Sequence, residues 1–589
     1  MNVNRWILTL LASGPFIGSA GCVDPGRIDQ TAINRYQHAM MVRSPQKRDA
    51  AKALGLLRPA ETIGPKLDVV VQDGRSQVRL TLEEAIVRAL ANNPQIRVVS
   101  FDPAISREEM IREAAAFDYV LFGSYSYDRV DERTTSTFGG GQSDTQTLQA
   151  GIRQDLITGG SWAASYSLSR VWDSSTFSGL AIRHEPKLLL EVTQPLLRDA
   201  WPEFNLARLR IARVNRQISE AVFRQQVERI VTGEQAGGRG GRVFLLGGVI
   251  GEYWNLWLTR EELPILRSLL QSAQDTLVKV KARAEIDAGV AQIKQAEAAV
   301  HDRQIQLNNA EKAFQGAQDS LARLLSDPQV NLLADVEIVP ITPPVRAKVS
   351  LDVADQLRTA LAHSPLLEQA RLAIARAEIT VAMATNQTLP QLNLTGSVGY
   401  QGLGATRHEG HEKLGTLDYL SYSIGISFEY PLGNRQRRAD LRKADFERRK
   451  EIAVMQNVAD QIAGSVKERI REVHVLYREI QLWHALVEAK TLELQALEDN
   501  EKIRGRLTPE FLSLKLATQG QLADARRGEL GATVEYNGAL VGLAGITGTI
   551  LKMHGVDVAL LAAAGESEWP REPAAPKLIP VTTPPGKGQ

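Results

Sequence analysis

The chain has a single cysteine, Cys22, among 589 residues, so neither a disulfide framework nor a cysteine metal cluster can be built within it. An excess of either charge is also missing. Lys+Arg number 69 against 68 Asp+Glu, a net of +1, which gives no bulk attraction to nucleic acid. Hydrophobic content is an ordinary 43%. Beyond the N-terminal segment, though, no run reaches the roughly 20 apolar residues that a spanning helix needs. Any membrane crossing therefore falls to strands. Catalytic signatures are lacking too: no Gly-rich phosphate loop follows a strand, and no nucleophile–base–acid set stands out. The chain reads as a non-enzyme with no cofactor. His408-Glu409-Gly410-His411-Glu412 carries metal-ligand residue types without the HExxH spacing of a zinc helix. It lies between strands and reads as a solvated loop rather than a metal site.

Two stretches alternate strictly. Over 392–401, Leu392, Leu394, Val398 and Tyr400 alternate with Asn393, Thr395, Ser397 and Gln401. Over 420–430, Leu420, Tyr422, Ile424, Ile426, Phe428 and Tyr430 alternate with Ser421, Ser423, Gly425, Ser427 and Glu429. A period of two with one wholly apolar face describes a strand between two different solvents. Charge-rich helical sequence flanks both, which suggests a membrane barrel mounted on a helical shaft. The first half has four more candidate strands: around Tyr119–Asp128, 148–156, 162–172 and 188–192. Gly159-Gly160 makes a tight turn between the middle two. Tyr and Trp near the strand ends fit aromatic girdles. A soluble sandwich is the competing reading, but the serine-rich faces are too polar for a second packed layer and suit a water-filled lumen.

At the N-terminus, Arg5, the apolar run 6–17 and the small residues 18–21 read as an export signal. Ser19-Ala20-Gly21-Cys22 is similar to a bacterial lipobox, in which the cysteine is lipidated after cleavage, although Ser19 stands where that pattern prefers Leu. An ordinary signal peptide, 1–22, is the alternative.

Residues 23–79 read as a loosely ordered lead-in. A first unit spans 80–330: helices, strands over 118–195, and a helical hairpin over 205–326 interrupted by a Gly-rich insertion at 233–248. A linker covers 331–350. A second unit spans 351–550, with strands over 391–430 and a hairpin over 435–544. A Pro-rich tail, 565–589, reads as disordered. The segment 351–365 aligns with 80–94 without a gap, with Leu80/Leu351, Ala89/Ala360, Leu90/Leu361, Ala91/Ala362 and Pro94/Pro365 identical. The order helix, strands, long hairpin thus occurs twice, as in an internal duplication. Small and apolar residues at three/four spacing, among them Ala296, Leu307, Ala310 and Leu321 in one hairpin and Val473, Leu476 and Ile480 in the other, mark coiled-coil seams.

The chain resembles the TolC-like outer-membrane efflux protein family over nearly all of 80–550. The carriers are the paired starts 80–94 and 351–365, the strand exits Leu190-Glu191-Val192-Thr193-Gln194-Pro195-Leu196-Leu197 and Phe428-Glu429-Tyr430-Pro431-Leu432-Gly433, and the aromatic segment Glu252-Tyr253-Trp254-Asn255-Leu256. The resemblance implies an α+β membrane protein: a homotrimer sharing one outer-membrane β-barrel, continued by an α-helical coiled-coil periplasmic tunnel. It also implies a passive export duct working with a periplasmic adaptor (membrane fusion) protein and an inner-membrane transporter, for efflux or type I secretion. About 65 helical residues on one arm of a hairpin would reach roughly 100 Å. By the same resemblance, Glu285, Asp287 and Glu510 at the hairpin turns are gate or selectivity candidates, with solvated turn charges as the bland alternative. Ala288, Gly289, Leu507 and Thr508 are adaptor-contact candidates. The family has two strands per half, and this first half shows four. A periplasmic coiled-coil adaptor or scaffold is the alternative function.

Overall fold

The computed structural model describes residues 69–72, 75–132, 141–174, 179–237, 243–246, 248–283, 289–327, 329–330, 336–504 and 508–556. Two strands, β1 (Val69–Gln72) and β2 (Arg75–Leu80), lead into helices α1 (Leu82–Asn92) and α2 (Pro94–Ala114). Four strands follow: β3 (Val120–Asp131), β4 (Gln142–Asp155), β5 (Ser161–Asp173) and β6 (Ile182–Pro195). Helix α3 (Ala207–Thr232), a small hairpin of β7 (Glu234–Gly237) and β8 (Val243–Leu246), and helices α4 (Val249–Ala282) and α5 (Val290–Leu325) come next. Strand β9 (Val336–Pro340) precedes α6 (Val353–His363) and α7 (Pro365–Gln387). Then come β10 (Gln391–Gln401), α8 (Arg407–Gly415), β11 (Leu420–Glu429), α9 (Arg435–Arg504) and α10 (Pro509–Ile546).

The helix starts follow from their caps. Thr81 Oγ1 accepts from the Glu84 amide at 3.1 Å, and Glu84 Oε2 accepts from the Thr81 amide at 3.0 Å, a reciprocal capping box. Asn93 Oδ1 accepts from the Gln95 amide at 2.8 Å, with Pro94 preset for the first turn of α2. In the second half Asp352 takes the place of Thr81 and accepts from the amides of Ala354 and Asp355.

The main core lies where β2, α1, α4 and α5 meet. Val78 and Leu80 of β2, Ala85 and Ile86 of α1, Tyr253 and Leu256 of α4, and Leu321 and Leu325 of α5 are almost fully buried together. Each such aliphatic side chain contributes roughly 1.5–3 kcal/mol of burial. Inside this cluster Arg88 pairs with Asp327 at 2.5 Å, with both side chains at most 2% exposed.

The expected linker is not featureless. β9 joins β2 in parallel, with Ser76 opposite Val336 and Leu80 opposite Pro340, in a three-stranded sheet with β1. The expected lead-in therefore ends in two strands, and 23–68 lie outside the described residues. The chain beyond β9 is stitched down. Tyr253 Oη donates to the Leu80 carbonyl at 3.0 Å and accepts from the Thr342 amide at 2.9 Å. Asn537 holds both the N–H and C=O of Val345, and Tyr536 Oη donates to the Ala347 carbonyl at 2.9 Å.

In the long hairpins α4 packs on α5 and α9 on α10, and α10 also lies on α4. The expected seams are present: Ala296, Leu307, Ala310 and Leu321 are buried on one side, Val473, Leu476 and Ile480 on the other. Helix α9 has 70 residues without a break, about 105 Å at 1.5 Å per residue. Helices α3 and α4 are separated by the Gly-rich insertion, which forms the β7–β8 hairpin rather than an open loop. Gly233, at φ +86°, and Gly248 stand back to back where the hairpin leaves and rejoins the helical path. Pro264 is carried within α4 and Pro103 within α2.

Candidate functional site: the strand wall and the hairpin tips

Six strands form one sheet in the order β11-β10-β6-β5-β4-β3, with every neighbouring pair antiparallel. The ladders put like residues in rows. Leu121, Ile152, Ala164, Leu190, Val398 and Tyr422 lie opposite one another across all six strands. The next row reads Gly123, Ala150, Tyr166, Leu188, Tyr400 and Leu420. Much of this face is bare: Leu121 is 79% exposed, Tyr422 74%, Ile424 78% and Ile426 71%. A contiguous apolar face of this extent has no place against water.

The opposite face is polar. Val120, Arg153, Ala163, Glu191, Ser397 and Ser423 make one row of it. Hydroxyls pair across it, Thr147 with Ser169 at 3.1 Å and Ser397 with Ser423 at 2.9 Å. Near its rim Arg183 bridges Glu185 at 2.7 Å and Asp173 at 3.6 Å.

Connections at the two ends of the sheet differ. β4 and β5 are joined at the helix-bearing end by the tight turn 156–160, where Gly159 adopts φ +86° and a Cβ would lie 2.1 Å from the Asp199 carbonyl oxygen. At the far end the connections are longer, and the one between β10 and β11 contains α8. The stretch His408–Glu412, expected as a solvated loop, is thus helical. Its Gly410 sits where a Cβ would come 3.0 Å from Pro186 Cδ. His411 Nε2 lies 2.7 Å from Tyr166 Oη, so the ring contacts the wall. Among the described residues no group of three His, Cys, Asp or Glu side chains converges.

Glu285, Asp287, Ala288 and Leu507 lie outside the described residues. Gly289 opens α5, its amide donating to Gln292 Oε1 at 2.7 Å. Thr508 caps α10 through its Oγ1, which accepts from the Phe511 amide at 3.3 Å. Glu510 is exposed in the first turn of α10, where a carboxylate also complements the helix dipole. Behind these tips runs a buried polar layer that periodicity did not reveal. Lys515, 2% exposed, pairs with Glu501 at 2.5 Å. Arg303 donates to Gln519 Oε1 at 3.0 Å and to the Leu516 carbonyl at 2.7 Å. Lys515 and Arg303 sit at seam positions, where pattern alone calls for apolar residues.

Residues 357–503, from within α6 to the end of α9, match the family model described as outer membrane efflux protein. That segment, about a quarter of the chain, belongs to that family. Solved structures share the fold. VceC of Vibrio cholerae, an outer membrane protein, is 18% identical with TM-score 0.57, covering 79% of this chain and 96% of its own. The CmeC outer membrane channel of Campylobacter jejuni is 13% identical with TM-score 0.56, covering 86% and 94%. The MtrE outer membrane channel of Neisseria gonorrhoeae, solved in an open state, is 15% identical with TM-score 0.52, covering 83% and 98%. At these identities the likeness is one of fold. No curated protein matches the chain by sequence. The family is one of channels and transport ducts rather than of enzymes.

Proposed function

We propose that three copies of this chain close one barrel in the bacterial outer membrane and one helical tunnel beneath it in the periplasm. The assembly is a passive export duct, fed through a periplasmic adaptor by an inner-membrane transporter for efflux or type I secretion. The observation that carries this reading is the sheet itself: six strands, apolar on one face and polar on the other, with both edges unpaired among the described residues. An open edge is a template for another chain. Because the number of strands is even, β3 of one copy runs antiparallel to β11 of the next. This is a head-to-tail contact that closes into a ring.

The tunnel helices support the same assembly. On α9 the buried side chains Ile462, Val466, Ile470 and Val473 occupy one face. Phe446, Val454, Val475 and Leu482 occupy the other and are 63%, 40%, 52% and 69% exposed. A helix apolar on two faces needs two partners, and the second is a neighbouring copy. We read the two halves as an internal duplication. Glu285, Asp287 and Glu510 would form acidic rings at the tunnel mouth that favour cations. Ala288, Gly289, Leu507 and Thr508 would meet the adaptor. Cys22, outside the described residues, would anchor the chain by a lipid.

Fractionation of cells making the full chain tests this reading. The protein should sediment with the outer membrane and run as a heat-dissociable oligomer in detergent gels. A soluble periplasmic monomer would instead favour a coiled-coil scaffold.

A further inference from the structure

The strands β4 and β5 are continuous with the rest of the sheet. β4 pairs with β3 from Val120–Arg153 to Asp131–Gln142, and β5 pairs with β6 from Ser161–Thr193 to Trp172–Ile182. These ladders are as long as those of β10, and the alternation passes through them without a slip. Leu148 and Ile152 stand on the apolar face with Leu190 and Val398, and Gln149 and Arg153 on the polar face with Glu191. At 14 and 13 residues, β4 and β5 each exceed the roughly 9–11 residues that a tilted strand needs to cross a bilayer. An ornamental hairpin projecting into water has no reason to keep one face apolar in register with a membrane wall.

We infer that this hairpin is barrel wall, so that three copies close a barrel of 18 strands with a wide, polar exit that does not sieve its cargo. The inference rests on the three-copy duct proposed above. With strands about 4.8 Å apart and tilted about 40°, 18 strands give a backbone diameter of roughly 36 Å and, after side chains, a lumen of about 25 Å. Without β4 and β5 the same arithmetic gives 12 strands and a lumen of about 14 Å. The wider exit admits a hydrated polypeptide segment as readily as a small molecule. Selection then falls to the hairpin tips and the partners that meet them. The hairpin is also removable in principle. β3 and β6 run antiparallel, and the row that joins Leu121 to Leu190 passes straight through it.

Thiol labelling in lipid vesicles tests the inference, with the parent chain as the labelling blank. Single cysteines are placed on the hairpin (Leu148→Cys and Ile152→Cys facing out, Gln149→Cys facing in) and on reference strands (Leu394→Cys and Ile424→Cys facing out, Ser423→Cys facing in). If the hairpin is wall, a charged maleimide labels Gln149→Cys and Ser423→Cys at least tenfold faster than the outward positions of both sets. A lipid-soluble maleimide reverses that order. If the reference positions alternate and the hairpin positions all label rapidly, the hairpin lies outside the wall; the inference fails while the duct stands. If neither set alternates, the duct reading itself fails and takes the inference with it.

Discussion

Leu190→Arg puts a charge in the middle of the apolar band. Leu190 belongs to a row that is apolar on all six strands, from Leu121 to Tyr422, with further apolar residues on both sides along β6, Leu188 and Val192. An arginine on the lipid face of a barrel near the bilayer midplane costs roughly 2–4 kcal/mol, or about 30- to 800-fold in the folding equilibrium. In a ring of three copies the penalty is incurred three times, about 6–12 kcal/mol per barrel. Ser397→Arg is the control. Ser397 lies one residue from Val398 but on the opposite face, opposite Glu191 and Ser423, where an arginine stays in water beside a carboxylate. The assay is refolding from urea into lipid vesicles, reading the transition midpoint at unchanged slope. Leu190→Arg should lower stability by at least about 2 kcal/mol per chain relative to Ser397→Arg. Shifts equal within about 0.5 kcal/mol would refute the assignment of faces, and with it the membrane wall.

The Arg88–Asp327 pair is 2.5 Å apart and almost fully buried, and losing one charge of a buried pair is costly. Asp327→Ala should cost about 3–5 kcal/mol, read as a lower melting temperature of the full chain in detergent. Glu228, 5% exposed on α3, has its carboxyl pushed up from 4.5 to about 7 by burial, which outweighs the Arg224 guanidinium beside it. A raised carboxyl pKa means that the folded state keeps its proton while the unfolded state loses it. Stability contributed here is therefore present below about pH 4.5 and lost as pH rises to about 7, by up to about 3 kcal/mol. Glu228→Gln should flatten that part of the profile, and an unchanged slope would assign it elsewhere. If the acidic tip residues form rings, Asp287→Ala combined with Glu510→Ala should shift single-channel selectivity away from cations. Unchanged selectivity would leave Glu510 as a helix-capping charge only.

What could be read from the sequence was what repeats locally. β10 and β11 alternate strictly between an apolar and a polar face, and that choice is made position by position. The caps at Thr81 and Asp352 and the seams of α5 and α9 are local for the same reason. The strands of the first half were harder to delimit at β6, where Leu188, Leu189 and Leu190 run together and only the ladders show Leu189 turned to the polar face beside Gly399 and Ser165. β9 gives almost no signal of its own. It is five residues long, and its partner β2 lies about 260 residues away in the chain. Helix α8 has a single apolar side chain, Leu414, so periodicity could not announce it. It is held by close backbone contact instead, since a Cβ on Gly402 would lie 2.1 Å from the Gly410 carbonyl oxygen. The buried cations Lys515 and Arg303 were hidden because a seam pattern has no entry for a charged residue whose partners come from another turn or another helix. Family resemblance supplied the tip candidates, and four of those seven positions lie outside the described residues.

The central claim is that copies of this chain close a channel none of them can form alone. Its most direct test is planar-bilayer conductance of the purified full chain, with the oligomer mass determined in the same detergent. A particle of three chains giving discrete, long-lived conductance steps is the predicted result. A monomer that leaves the bilayer silent would contradict it.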